Sequence, residues 1–150
     1  MKFVNYEASA MPQKVHIIWE KVVESDGHNE APDQNDEGFW PSQDSEAAGY
    51  CGEHTDEEFE QLLEDAQQRF NDWENGVWEY VGVRAKATVY IPIGGNSFHI
   101  MEMQSAGLWG IESDAGDYLD DVYQEEKDGL ILELQTLATA INDKDIIEKD

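Results

Sequence analysis

The stretch VWEYVGVRAKATVYIPIGGNSFHIMEM, residues 77–103, decides the fold because apolar and polar side chains alternate along it. Strict alternation places one set of side chains on each face of a β-strand. Arg84, Lys86 and Thr88 lie on one face, and Gly94-Gly95-Asn96 supplies the turn of a β-hairpin. The opposite, apolar face consists of Val81, Val83, Ala85, Ala87, Val89 and Ile91.

A helix is predicted before this hairpin. Thr55-Asp-Glu-Glu58 fits a capping box, in which the threonine hydroxyl and the glutamate carboxylate each satisfy a free amide at the helix start. Asn75-Gly76 then ends the helix. One apolar stripe with helical spacing is formed by Phe59, Leu62, Leu63, Ala66, Phe70 and Trp73.

A third strand and a second helix are predicted after the hairpin. The strand LWGIE follows Ala106-Gly107, and the helix begins near SDAGDYLDD and runs towards Ile141. Glu126 falls near its apolar stripe and Gly129 interrupts that stripe, so the helical pattern is imperfect. The apolar face holds Leu119, Val122, Leu130, Leu134, Leu137 and Ile141, and another face holds Asp117, Asp120, Asp121, Gln124, Glu125 and Asp128.

Two segments of different character precede the first helix. The run KVHIIWEKVV, residues 14–23, is apolar on both alternating faces and predicts a buried strand, although its apolar spacing also fits a helix. A long acidic loop follows at about residues 24–54, and loops of that length are usually functional or disordered. The second half of this loop is expected to be held to the body of the domain by Phe39, Trp40, Tyr50 and Cys51.

Together these elements predict an α+β fold, in which a small antiparallel sheet of three to four strands packs against two amphipathic acidic helices. With 150 residues, the chain is most simply a single domain, residues 1–150, that has one hydrophobic core. The 40% apolar content, with five Trp, six Tyr and five Phe, argues against a wholly disordered acidic chain.

The charge of the chain limits its partners. Nine Lys and Arg oppose 34 Asp and Glu, which gives a net charge of −25. Nucleic acids and anionic membranes are polyanions, so both are excluded as direct partners and a basic protein is favoured. No apolar run is long enough to cross a bilayer, and the N-terminus lacks a secretory pattern. Because the single Cys51 fits a reducing compartment, we expect a cytoplasmic location.

No residue pattern predicts an enzyme. The sequence holds neither a phosphate-binding glycine loop nor a nucleophile elbow. Cys51 and His54 have the spacing of half a zinc site, but no second half follows. The segment ESDAGDYLDD lacks the alternating ligands of a calcium loop and is better explained as a helix start. We therefore expect no catalytic residue, no cofactor and no metal ion.

Acidic residues are concentrated in two parts of the chain. Residues 24–68 carry fifteen Asp and Glu and no Lys or Arg, and residues 101–150 carry fourteen acids against three bases. Carboxylates at positions i and i+4 of a helix stand about 6 Å apart, close to the spacing of phosphates along one nucleic-acid strand. The first carboxylate row is Asp56, Glu57, Glu60, Glu64 and Asp65, and the second carboxylate row is Asp117, Asp120, Asp121, Glu125 and Asp128.

Such rows destabilise the helices that carry them, which suggests that the rows have a function. Like charges at i and i+4 cost a few tenths of a kcal/mol each, and a purely structural helix would interleave lysine. One explanation is that the rows imitate the phosphates of a duplex, with the acidic loop extending them. The other is a solvated face that keeps the protein soluble. Adaptation to high salt would spread acids over the whole surface, whereas residues 1–23 and 69–100 are nearly neutral.

Three segments of the sequence are distinctive: GFWPS (residues 38–42), WEYVGVRA (residues 78–85) and GLWGIESD (residues 107–114). They resemble a family of small acidic proteins encoded by phages and mobile elements, and GLWGIESD is the most specific of the three. The resemblance covers about residues 38–126, including AGYCG and YLDDVYQEE. It implies the cytoplasm of an infected bacterium, but brings no activity and no catalytic residues. By analogy with phage proteins that imitate DNA, it favours the phosphate-mimic explanation.

The sequence therefore predicts a phage-type DNA-mimic inhibitor. It would occupy the basic nucleic-acid-binding groove of a host defence or DNA-processing protein, of restriction or CRISPR type. The expected partner is a basic nucleic-acid-binding host protein, and a homodimer is a further possibility that the sequence leaves open. The alternative is a non-enzymatic interaction module that docks through Phe39, Trp40 and Tyr50 of the loop, with the acids serving solubility only.

Overall fold

The described chain consists of helices and a four-stranded sheet. The structure, a computed structural model, describes residues 14–27 and 30–141. Four strands form an antiparallel sheet in which β1, β2 and β3 are neighbours in that order and β4 also pairs with β2, which confirms the α+β fold. The elements are β1 (His16–Ser25), α1 (Pro32–Asn35), α2 (Asp56–Glu74), β2 (Tyr80–Gly94), β3 (Ser97–Gln104), β4 (Leu108–Glu112) and α3 (Tyr118–Ala140).

The chain forms two compact units, and β2 contributes to both of them. The first three residues of β2 belong to the second unit and the others to the first unit. The expectation of a single domain stays a prediction. Among the described residues, the first unit comprises 14–23, Val83–Leu108 and 117–141, and the second unit comprises 24–27, 30–82 and Trp109–Gly116.

Alternate residues of β2 form the centre of the core, as the sequence pattern predicts. Val83, Ala85 and Ala87 are fully buried, whereas the intervening Arg84 and Lys86 are half-buried. Because successive side chains of a strand point to opposite faces, one face of β2 carries the apolar core of the first unit. The buried apolar residues of this unit are Val83, Ala85, Ala87, Val89, Tyr90, Val122 and Leu130.

The predicted hairpin joins β2 to β3. The two strands pair antiparallel, with Lys86 opposite Gln104 and Pro92 opposite Phe98. Gly94 and Gly95 have φ angles of 109° and 55°, in the region that costs glycine nothing and strains other residues. Gly94 is the last residue of β2, and Gly95 and Asn96 separate it from β3. The two glycines therefore allow the chain to reverse direction at this short turn.

The capping box places the start of α2 where the sequence predicts it. The Thr55 hydroxyl accepts a hydrogen bond from the Glu58 amide at 3.2 Å, and the Glu58 carboxylate accepts one from the Thr55 amide at 3.5 Å. Asn75 caps the other end, and Gly76 follows it with a φ of 73°. None of the nineteen residues of α2, all of them described, is fully buried, so its apolar stripe is only half-covered.

Replacing Thr55 with alanine is expected to lower the free energy of unfolding by about 1 kcal/mol, because one amide of the first turn loses its acceptor. For a chain of this length the melting temperature would fall by about 2–4 °C. Thermal unfolding followed by circular dichroism measures this change. Thr55→Ser keeps a hydroxyl and serves as the control, and a serine variant as unstable as the alanine variant would contradict the capping role.

The strand predicted near the N-terminal end of the described chain is present, but the prediction that it is buried is wrong. Val15, Ile17 and Val23 are all exposed, and the residues of β1 alternate between half-buried and exposed. A run that is apolar on both faces is typical of a strand covered on both sides. β1 instead stands at an end of the strand order.

The helix predicted near the C-terminal end is present as α3, with Asp117 at its N-cap position. The predicted apolar face is confirmed in its first part, where Val122 and Leu130 are buried. It is wrong for the last two positions, because Leu137 and Ile141 are exposed. The burial of α3 therefore decreases along the helix, although its sequence becomes more apolar in that direction.

The predicted acidic loop is closed on itself in its second half. An isolated bridge joins Ser42 to Tyr50, and the Cys51 amide donates a hydrogen bond to the Ser42 carbonyl at 3.3 Å. Gly49 lies so close to the Trp40 carbonyl oxygen that no Cβ atom would fit between them. The first half of the loop contains α1, whose Pro32 is fully buried.

A close approach between two strands of the second unit depends on Gly82. The ring of Trp109, in β4, lies against the Gly82 Cα in β2, where a Cβ atom would overlap the ring. The sequence places glycines around Trp109, and a glycine in a strand often marks such an approach. The structure shows such an approach at Gly82, on the neighbouring strand.

Replacing Gly82 with alanine is expected to lower the free energy of unfolding by about 1–3 kcal/mol, because the Trp109 ring must shift. Gly129→Ala is the matched control, since a Cβ atom there meets nothing within 4 Å. This control should instead stabilise α3, by about 0.5–1 kcal/mol. Denaturant unfolding measures both changes, and a neutral Gly82→Ala variant would show that the ring contact is unimportant.

Candidate acidic binding surface

The first carboxylate row lies along α2 and is exposed over its whole length. Among the described residues, no salt bridge reaches any member of this row. Glu60 and Glu64 stand one helical turn apart, about 6 Å between side chains. Asp65 accepts a hydrogen bond of 2.9 Å from the neutral Gln61 amide, which leaves its charge uncompensated. The exposed members are Asp56, Glu57, Glu60, Glu64 and Asp65.

Arg69 is the single basic residue of α2, and its charge is used within the second unit. Its two terminal nitrogens donate hydrogen bonds to the two carboxylate oxygens of Asp114 at 2.5 and 2.6 Å. One of them also donates to the Glu112 carboxylate at 2.9 Å. Such a two-pronged contact is the strongest form of ion pair that arginine makes. Arg69 therefore does not neutralise the first carboxylate row.

A tryptophan completes the contacts of Arg69. The guanidinium lies 4.2 Å from the centre of the Trp78 ring, and the Trp78 indole donates a hydrogen bond to the Arg69 carbonyl at 2.9 Å. Trp78 is almost completely buried and meets Tyr80 edge to face. We call Arg69, Trp78, Glu112 and Asp114 the Arg69 cluster. It explains Glu112 and Asp114 of GLWGIESD as structural contacts of Arg69 in α2.

Hydrogen bonds shift the pKa values of two carboxyl groups in the second unit. The bonds from Arg69 hold the pKa of Asp114 below its usual value, and the same bonds raise the pKa of Arg69. The hydroxyl of Thr55, followed by the ring of His54, lowers the pKa of Glu58. The cap of α2 and the Arg69 cluster thus favour the charged form of these two carboxyl groups.

The second carboxylate row lies at the start of α3, in the first unit. Asp120 forms a salt bridge of 2.5 Å with Lys21, so its charge is compensated. Asp128 accepts a hydrogen bond of 2.9 Å from the neutral Gln124 side chain. The two rows belong to different compact units, and each is a candidate surface by itself. All members of this row are exposed: Asp117, Asp120, Asp121, Glu125 and Asp128.

Several basic residues are occupied by contacts within the chain. In the first unit, the Lys86 ammonium lies 3.4 Å from the Glu102 carboxylate and 3.9 Å from that of Glu20. The ammonium of Lys127 lies 5.5 Å from the ring centre of Trp19. Because Lys86 and Lys127 contact other side chains of the first unit, neither forms a salt bridge with a carboxylate row in the part of the chain that the structure describes.

Aromatic residues attach the acidic loop to α2. Phe39 meets Trp40 edge to face at 5.3 Å between ring centres, and the Trp40 ring lies 5.7 Å from Phe70 of α2. The rings of Phe39 and Trp40 are both half-buried. This agrees with the prediction that they hold the loop to the body of the domain. Tyr50 is exposed and is therefore the most accessible of the three aromatic residues in the alternative docking hypothesis.

The spacing of Cys51 and His54 is explained by local contacts. The Nε2 atom of His54 lies 2.6 Å from the Cys51 carbonyl oxygen, and Nδ1 lies 3.4 Å from the Glu58 carboxylate. The Cys51 thiol lies 3.5 Å from the Ser42 carbonyl. Within the described part of the chain, no group of three or more metal-binding side chains occurs. The expectations of no metal, no cofactor and no enzyme stay predictions.

A cavity that the sequence did not reveal opens at the end of α2. It has a volume of about 430 Å³ and is lined by Trp73, Glu74, Gly76, Trp78 and Glu79. Glu74 and Glu79 are exposed acids beside aromatic rings. Cationic side chains are attracted both by carboxylates and by the faces of such rings. The cavity therefore suits a lysine or arginine side chain.

No family model, curated protein or solved structure matches the chain. The resemblance carried by GFWPS, WEYVGVRA and GLWGIESD therefore stays a prediction. Each of the three segments contributes one side chain to contacts within the second unit. Trp40 contacts Phe70, and Trp78 and Asp114 both contact Arg69. Over the described residues, no helix combines the length and the apolar character that crossing a membrane requires.

Proposed function

We propose that the protein is a phage-type DNA-mimic inhibitor that acts in the bacterial cytoplasm. Its target is the basic nucleic-acid-binding groove of a host defence or DNA-processing protein, of restriction or CRISPR type. One observation carries this proposal. The first carboxylate row is exposed on a well-capped helix, while the single arginine of that helix is bound to Asp114 and Glu112.

The first carboxylate row resembles a phosphate strand in charge and spacing. Its side chains accept hydrogen bonds, as phosphate oxygens do, and arginine forks fit carboxylates and phosphates alike. Arginine and lysine residues that normally bind the DNA backbone would therefore bind Glu57, Glu60 and Glu64. Inhibition is competitive, because the mimic and the nucleic acid occupy one groove.

The cavity at the end of α2 supplies an anchoring point for such a partner. Arginine side chains that fill pockets at the centre of an interface often provide much of its binding energy. A cationic side chain placed between Glu74 and Glu79 would contact Trp73 as well. A partner must therefore match the shape of the cavity as well as the charge of the carboxylate row. Basic proteins in general would match only the charge.

The second carboxylate row supports the proposal less strongly. Lys21 compensates Asp120, so this row presents its free charge through the four residues Asp117, Asp121, Glu125 and Asp128. It follows that this row contributes less to binding than the first row. The alternative of docking through loop aromatics has less support, because Phe39 and Trp40 contact other rings of the second unit.

Affinity capture from bacterial lysate tests the proposal. The immobilised protein is incubated with lysate at low salt, and bound proteins are released from two equal samples of the resin, from one with duplex DNA and from the other with a sodium chloride gradient. We expect one nucleic-acid-binding protein that both reagents release, because screening shortens charge interactions from about 10 Å at 0.1 M to about 3 Å at 1 M salt.

Immobilised polyglutamate is the control for charge alone. A protein that is retained by the intact chain and not by polyglutamate supports a specific mimic. The proposal is wrong if polyglutamate captures the same proteins equally well. It is also wrong if the captured partner resists both salt and DNA, since neither a charge-based nor a competitive contact would then hold it.

A further inference from the structure

The cavity at the end of α2 combines aromatic rings and carboxylates in one concave site. Its volume is about 430 Å³, and every residue that lines it belongs to the second unit. Trp73 is half-buried and offers ring surface, whereas Trp78 is almost completely buried and forms part of the wall. Glu74 and Glu79 are exposed, and among the described residues no salt bridge reaches either carboxylate. The lining therefore favours a cationic ligand.

The end of α2 adds negative potential to the same cavity. The C-terminal end of a helix carries about half a negative charge, which cations in the last turn normally offset. α2 has no basic residue in its last turn, and its final residue, Glu74, adds a full negative charge there. Gly76, which follows the Asn75 cap, lines the cavity together with Glu74. A cation bound in the cavity would therefore supply the charge that this helix end lacks.

Contacts with two serines fix the position of Glu79. Its amide donates a hydrogen bond to the Ser113 hydroxyl at 3.0 Å, and its carbonyl accepts one from the Ser113 amide at 2.8 Å. The Ser25 hydroxyl donates to one oxygen of its carboxylate at 3.2 Å. A side chain that is already ordered loses less conformational entropy when it binds a ligand. Glu79 therefore offers an ordered acceptor, whose second carboxylate oxygen has no donor among the described residues.

The Arg69 cluster shows which cation suits this chemistry. It surrounds a guanidinium with a tryptophan ring and two carboxylates, and the cavity offers the same types of group through Trp73, Glu74 and Glu79. A guanidinium is flat, stacks on aromatic rings and has five N–H donors, enough for two carboxylates at once. An ammonium has three donors and no flat face. We propose that the cavity is a binding site for a guanidinium group, supplied by an arginine side chain of a partner protein.

This inference rests on the proposed function for the partner that supplies the arginine. Proteins that bind nucleic acids hold the phosphates largely through arginine and lysine side chains. The cavity would bind one such arginine while the first carboxylate row binds others. The cavity can nevertheless be tested without that partner, because a capped arginine carries the complete guanidinium side chain. The site and the proposed function can therefore fail separately.

Titration of the full chain with N-acetyl-arginine methylamide tests the inference. The indole N–H signals are followed by NMR, and Trp73→Phe identifies the signal of Trp73. We expect that signal to shift, with a dissociation constant of about 1 mM or lower, as befits a ligand of this size. The citrulline analogue has the same shape without the charge, and the lysine analogue has the charge without the plane. We expect both analogues to bind at least about fivefold more weakly.

Matched variants locate the site. Glu74→Gln combined with Glu79→Gln should weaken binding of the arginine compound at least about tenfold, because both charges are lost. Glutamine keeps the size of the side chain and an oxygen that can accept from Ser25, so the fold should persist. Glu46→Gln combined with Glu53→Gln is the control, since these exposed acids lie outside the cavity and change the net charge equally. We expect the control to keep its affinity within about twofold.

Three results overturn the inference. They are an unshifted Trp73 signal up to about 10 mM ligand, equal binding of either analogue, and equal losses in the two double variants. A chain that captures a partner but binds no arginine compound leaves the proposed function standing and removes only this site. A chain that binds the arginine compound in the cavity but captures no partner supports the site and contradicts the proposed function.

Discussion

Reversal of Glu57, Glu60 and Glu64 to lysine is expected to weaken binding to the basic partner at least about 100-fold, or about 3 kcal/mol. Each reversal replaces an attraction by a repulsion at the same position, and close charge pairs across an interface couple by about 1.5 kcal/mol or more. All three side chains are exposed and have no salt bridge within the described chain, so the fold should be retained. Titration of the captured partner measures the affinity.

A second triple variant tests whether binding depends on the position of the acids or only on the total charge of the chain. Asp143, Asp145 and Glu148 lie outside both carboxylate rows and the acidic loop in the sequence, and their reversal changes the net charge equally, from −25 to −19 (three changes of +2). We expect this control to keep its affinity within about fivefold, since it loses only long-range attraction. Equal losses in both triple variants would mean that the partner senses overall charge and does not bind the first carboxylate row.

Replacement of Arg69 with methionine is expected to lower the free energy of unfolding by about 2 kcal/mol. Methionine keeps an apolar stem, but Glu112 and Asp114 lose their counter-charge and the Trp78 ring loses its cation. The expected loss is modest because the Arg69 side chain is 29% exposed, so that solvent screens part of the interaction. Denaturant unfolding at neutral pH measures it.

Two comparisons test whether the ion pair causes this loss. Arg69→Met combined with Asp114→Asn should be less destabilised than the sum of the single changes, because the repulsion between two carboxylates disappears. The depressed pKa of Asp114 means that its stabilising contribution is present above the unfolded value of about 3.9 and is lost as the pH falls through the folded value. The difference between the unmodified chain and Asp114→Asn should therefore vanish in strong acid, and a difference that is constant with pH would contradict the ion pair.

Local patterns in the sequence predict much of the fold. The capping box at Thr55, the alternation along β2 and the paired glycines at 94 and 95 each act within a few residues, so the sequence alone shows them. The exposure of β1 could not be predicted in this way, because it depends on where the strand lies in the sheet. The same holds for Leu137, whose helical spacing says nothing about whether another element reaches it.

The candidate site is predictable in its charges and not in its contacts. The exposed carboxylates of α2 follow from an apolar stripe on the other face of the helix. The partners of Arg69 lie 43 and 45 residues away, and Lys21 meets Asp120 across 99 residues. No spacing rule connects such distant positions. The sequence could therefore show that acids are in excess, but not which of them are compensated.

The position of Arg69 also leaves a long part of the chain with a single site for trypsin. Between Lys21 and Arg84 it is the sole residue after which trypsin can cut, and its side chain is held by Asp114 and Glu112. Cleavage after Arg69 therefore requires that the end of α2 open first, and its rate follows the population of the opened form when opening is fast. Limited digestion of the native protein would measure how often this helix end is released.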